Sequence, residues 1–95
     1  MKKIKKSFIR DYFAGRFPDI PLVFLDPPEY YDYAIIGVIE GKAHSPAIAY
    51  NYDKVIEANR GMGMTYDEAV DYFYYNQVDA YVGKHTPVFI QTVCS

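Results

Sequence analysis

Apolar positions recur at helical spacing in four stretches of the chain and run nearly unbroken in three others. Ile4, Phe8, Ile9, Tyr12 and Phe13 share one face of a predicted helix over residues 3–14. Lys3, Lys6 and Arg10 turn away from that face, and Gly15 is its expected stop. Pro18 and Pro21 bracket a turn before Leu22-Val23-Phe24-Leu25, apolar on both faces and therefore predicted as a central strand. Asp26-Pro27-Pro28-Glu29 then has the chemistry of a helix start: a capping acid, a proline in the first turn and a carboxylate three residues on. A helix to Glu40 is expected, with Tyr31, Ala34, Ile35 and Val38 on one face. Ala34-Ile35-Ile36-Gly37-Val38-Ile39 would also suit a buried strand, and the cap favours the helix.

Gly41 closes that segment, and Pro46-Ala47-Ile48-Ala49-Tyr50 reads as a second strand. Asn51 is placed to cap a helix over residues 52–60, with Val55 and Ile56 inward and Gly61 at its end. After Gly61-Met62-Gly63-Met64, the run Thr65-Tyr66-Asp67-Glu68 opens another helix with reciprocal capping. Tyr66, Ala69, Val70, Phe73 and Gln77 line one face, and Asp67, Asp71 and Tyr75 another, with Glu68 and Tyr72 between. Val88 to Val93 is the third predicted strand. The expected order is α-β-α-β-α-α-β, an α/β or α+β fold with a three-stranded sheet covered by helices, two of its strands joined by a right-handed crossover.

Ninety-five residues suffice for one domain, residues 1–95. Charge divides it unevenly. Residues 1–16 carry six basic side chains against Asp11, a net of +5; residues 17–95 carry four basic and eleven acidic ones, a net of −7. A basic head and an acidic body attract each other, within one molecule or between two. The acidic body opposes the phosphate contacts on which nonspecific nucleic-acid binding depends, so no nucleic-acid partner is expected. Cys94 is the one cysteine, which fits a reducing compartment, and no apolar run reaches the length of a membrane span. The expectation is cytoplasmic, with no membrane partner.

Two loops echo each other. Gly41-Lys42-Ala43-His44-Ser45-Pro46 and Gly83-Lys84-His85-Thr86-Pro87 each follow a predicted helix and enter a strand, bringing a lysine, a histidine and a hydroxyl. If they converge, Lys42, His44, Ser45, Lys84, His85 and Thr86 form a cationic pocket for a small phosphorylated ligand or signalling nucleotide. Against it, each loop lies at the amino end of its strand, whereas ligands of open α/β sheets favour the carboxyl ends. The acidic pairs Asp26 with Glu29, Glu29 with Asp32, and Asp67, Glu68 and Asp71 read as caps or solvated helix faces. No spacing suits zinc, calcium, a nucleotide phosphate loop or a serine triad. The expectation is no catalytic residue, no metal and no cofactor.

Aromatic content changes the picture most. Eleven Tyr and six Phe make 18% of the chain, more phenols than so small an interior can bury with partnered hydroxyls. Tyrosines stand beside carboxylates in Glu29-Tyr30-Tyr31-Asp32-Tyr33 and Asp71-Tyr72-Phe73-Tyr74-Tyr75. Aromatic anchors rimmed by acids are the chemistry of an interface that steers a basic partner. The expected contact residues are Tyr30, Tyr31, Asp32, Asp67, Asp71, Tyr72 and Tyr75, and the partner is a host protein or a second copy in a homodimer.

Tyr52-Asp53-Lys54, the run Gly63-Met64-Thr65-Tyr66-Asp67-Glu68-Ala69-Val70-Asp71-Tyr72, Asn76, and Ala80-Tyr81-Val82-Gly83 leading to Thr86-Pro87-Val88-Phe89 resemble a family of small proteins encoded by phages and prophages. The resemblance covers roughly residues 50–90. That family brings no assigned activity or catalytic residues. It implies a viral origin and, by analogy with other small acidic phage proteins, an inhibitor of a host defence system acting in the host cytoplasm.

Overall fold

Where a side chain can satisfy a helix end locally, the helix forms as predicted. Asn51 Oδ1 accepts from the Lys54 N–H at 2.9 Å and opens the third helix of the chain, α3, Tyr52–Gly61. Thr65 Oγ1 accepts from Glu68 N at 3.2 Å while Glu68 Oε1 accepts from Thr65 N at 2.9 Å, opening α4, Tyr66–Tyr72. That helix continues as a π-helical turn, Phe73–Val78. The computed structural model describes residues 6–78, 80 and 83–93. In it α1 spans Lys6–Arg16 and runs through Gly15 instead of stopping there. Residues 3–5 of the predicted first helix, and Tyr81 and Cys94, lie outside the described residues.

Two predicted elements are replaced. Residues 22–25 form no strand, and the helix expected to Glu40 is a single turn, α2, Pro28–Tyr31, followed by a 3₁₀ turn, Asp32–Ala34. Asp26 does not cap it. Pro27 holds the cap position without a side-chain bond, and the Asp26 carboxylate accepts from Arg10 Nη1 at 3.3 Å. With no cap to extend the helix, the branched run pairs as a strand: β1, Ile35–Gly41. It forms an antiparallel hairpin with β2, His44–Asn51, bulging where Ile35 faces Tyr50 and Gly37 faces Ala49. β3, Val88–Ile90, lies parallel to β2 and is shorter than the predicted strand.

The observed order is therefore α-α-β-β-α-α-β, with a mixed sheet in the order β1-β2-β3. The chain is a small α+β domain.

β2 is the central strand, and Ala47 to Tyr50 are all buried. Ile48 and Tyr50, flanked by Ile35 and Val38 of β1 and Phe89 of β3, meet Phe13 of α1, Val55 of α3 and Phe73 of the π turn. The Tyr50 and Phe89 rings stack at 5.9 Å between centroids, and Phe73 meets Phe89 edge-on at 4.9 Å. Burying a ring of this size stabilises by roughly 2–3 kcal/mol.

Leu22, Phe24 and Leu25 pack on this core without a strand partner. Side chains serve the backbone instead: Leu25 N donates to Tyr50 Oη at 2.8 Å, and Leu25 O accepts from Arg10 Nη2 at 2.7 Å. The apolar run marks burial, and at Leu25 both backbone polar groups are satisfied without a ladder.

Candidate functional site

α4 and its π extension present two opposed stripes. Ala69, Phe73 and Gln77 face inward and are buried, while Asp67, Asp71 and Tyr75, at four-residue intervals, are exposed, with Tyr72 beside them. Glu68 is engaged in the cap, which leaves Asp67 and Asp71 as the outward carboxylates of the first turns. Tyr75 is the most open ring, 77% exposed. Of the ten tyrosines whose surroundings are described, Tyr31 and Tyr50 are buried, Tyr52 is half-buried and seven are exposed. The expected surplus of outward phenols is present.

The predicted patch does not hold together whole. Tyr30, Asp67, Asp71, Tyr72 and Tyr75 are exposed, but Tyr31 and Asp32 are buried and cannot be contact residues. Tyr31 Oη donates to Asn59 Oδ1 in the interior. Asn59 Nδ2 donates to Gln77 Oε1 at 3.0 Å and to Ala69 O at 3.1 Å, which ties α2, α3 and the π turn together. Burial pushes the Tyr31 phenol pKa up.

Asp32 is held by Arg10, whose Nε lies 3.1 and 3.2 Å from the two carboxylate oxygens and whose Nη2 lies 3.1 Å from Oδ1. The same guanidinium covers the Phe24 ring at 4.6 Å. The attraction between basic head and acidic body is thus realised within the molecule, at least at Arg10. Asn59 and Gln77 carried a signal that reading for surface chemistry passes over: each is an amide on an otherwise apolar helix face, where only a buried polar partner makes it tolerable.

The two histidine loops lie together. The first is not a helix exit as expected: its turn is Lys42-Ala43, between β1 and β2, and His44, Ser45 and Pro46 already belong to β2. Because β2 and β3 are parallel, both segments lead into their strands at the same end of the sheet. His85 Nδ1 is 2.7 Å from Pro46 O, and His44 Nδ1 is 2.7 Å from Ser45 O. Lys42 and Lys84 are exposed, and Ser45, His85 and Thr86 are half-buried. Thr86 Oγ1 donates to Gly83 O at 2.5 Å and shapes its own turn, in which Gly83 takes φ +112°.

Among the described residues there is no cluster of three or more His, Cys, Asp or Glu able to hold a metal, and no helix is long and apolar enough to cross a membrane. Compared with protein families, with curated proteins and with solved structures, the chain matches none of them.

Proposed function

We propose that this chain is a non-enzymatic interaction protein that engages the basic surface of a partner protein through the outer stripe of α4 and the π turn. The observation that carries the reading is the placement of Tyr72 and Tyr75 beside Asp67 and Asp71 on the outward side of a helix whose opposite stripe is buried. Rings with few rotatable bonds provide contact area at low entropic cost, and neighbouring carboxylates accelerate encounter with a cationic partner. Tyr30, exposed at the end of α2, is a peripheral contact. The resemblance to phage-encoded proteins adds a host protein as the partner, inhibition of a host defence system as the outcome, and the host cytoplasm as the setting.

The test combines light scattering after size exclusion with a pulldown from host lysate, using wild type and a Tyr72→Ala/Tyr75→Ala variant. The variant is expected to stay folded and to lose the partner. A strict monomer that captures nothing, or a partner retained at full strength by the variant, sinks the proposal.

A further inference from the structure

We propose that the end of the β1–β2 hairpin, residues 41–46, and the loop of residues 83–87 form a binding site for a phosphate-type oxyanion. Charge distribution is the first ground. Residues 17–95 hold eleven acidic side chains and four basic ones, and two of those four, Lys42 and Lys84, stand exposed in these loops beside both histidines of the chain. Glu40, exposed just before the turn, is the one carboxylate in residues 40–46 and 83–87. The site is a positive island on an acidic body. Its two halves are fixed to each other by the contact between His85 Nδ1 and Pro46 O.

The second ground is the state of the imidazoles. A carbonyl oxygen only accepts, so each ring carries its hydrogen on Nδ1: His44 donates to Ser45 O and His85 to Pro46 O, the oxygens of two successive residues. Nε2 is then the ring atom left for a ligand. When a ring takes up a proton, Nε2–H becomes a donor whose direction the Nδ1 bond has already set. Two such donors, formed on protonation, together with two ammonium groups carried by the same two segments are the chemistry that binds an oxyanion with several acceptor oxygens through charge-assisted bonds. Thr86 holds the loop's shape through Gly83.

The site shares no residue with the α4 stripe and is tested separately from it. Inorganic phosphate and a nucleoside diphosphate are each titrated into the ¹⁵N-labelled full chain in mildly acidic buffer at fixed ionic strength, with chloride as control, while the ring Nε2 resonances are followed. Saturable shifts at both histidines are expected. Binding should weaken about tenfold or more in Lys42→Ala/Lys84→Ala, whose exposed side chains carry no core packing, and remain unchanged in Tyr72→Ala/Tyr75→Ala. A diphosphate that saturates at tenfold lower concentration assigns a nucleotide as the source of the phosphate; equal affinity assigns the free anion. Shifts reproduced by chloride, shifts confined to one ring or absent, or binding undiminished in the double lysine variant overturn the proposal.

Discussion

Tyr50 and Tyr75 present the same phenol to opposite environments. Tyr50 is 0% exposed, with its ring on Phe89 and its oxygen accepting from Leu25 N, whereas Tyr75 is 77% exposed on the outer stripe of the π turn. The other fully buried phenol, Tyr31, likewise has a partner, the Asn59 amide. A phenol enters this interior only where a backbone group or an amide meets its oxygen, because a buried hydroxyl without a partner costs about 1–3 kcal/mol. Among the described residues the fold supplies two such places; Tyr52 is half-buried, and the other seven rings, those of the outer stripe of α4 among them, are exposed.

The contrast is broken most directly by truncation. Tyr50→Ala should cost about 4 kcal/mol in urea denaturation, the loss of a fully buried ring and of the partner of Leu25 N. A similar loss from Tyr75→Ala would erase the distinction. Alkaline pH sharpens it next. Burial raises the pKa of Tyr50 and of Tyr31, so both stay protonated in the fold when the unfolded chain has begun to ionise. The contribution of these two phenols is therefore fully present below about pH 10. Above it, stability falls by up to about 1.4 kcal/mol per pH unit for each protected phenol. Melting temperature followed from pH 9 to 11.5 should decline less steeply in Tyr50→Phe than in wild type, and equal slopes would mean that Tyr50 ionises inside the fold.

Tyr31→Phe keeps the ring and removes one hydrogen bond, leaving Asn59 Oδ1 with Gln77 Nε2 at 3.5 Å, and should cost about 1–1.5 kcal/mol by the same assay. The smallest effect is expected at the surface: Tyr75→Ala should change stability by less than about 0.5 kcal/mol while weakening partner capture.

What could be read from the sequence was chemistry that closes over a few residues. Asn51 and Thr65 announced their helices because the cap and the amide it serves are three positions apart. The central strand was legible from Ala47-Ile48-Ala49-Tyr50. Leu22 to Leu25 and Ile35 to Ile39 were not, since a short apolar run reports burial and leaves the backbone's partners open. Those partners are distant in sequence: Tyr50 and Arg10 for Leu25, β2 for β1. Asp26 failed as a cap for the same reason, its carboxylate facing Arg10 of α1. On the candidate site, Asp67, Asp71, Tyr72 and Tyr75 follow from helical spacing alone. Tyr31 and Asp32 were misplaced because their partners, Asn59 and Arg10, come from other helices. The approach of the two histidine loops follows from the parallel pairing of β2 with β3, which no local pattern specifies.

That parallel pairing also sets the order of assembly. β1 and β2 are joined by a tight turn and can zip together early, but Val88 reaches Ala49 only after α3, α4 and the π turn have been made. During synthesis, one edge of β2 and the ring of Tyr50 wait uncovered until Phe89 has left the ribosome. A product terminated before β3 keeps an open strand edge and an unstacked aromatic, so it is the species to look for in the insoluble fraction.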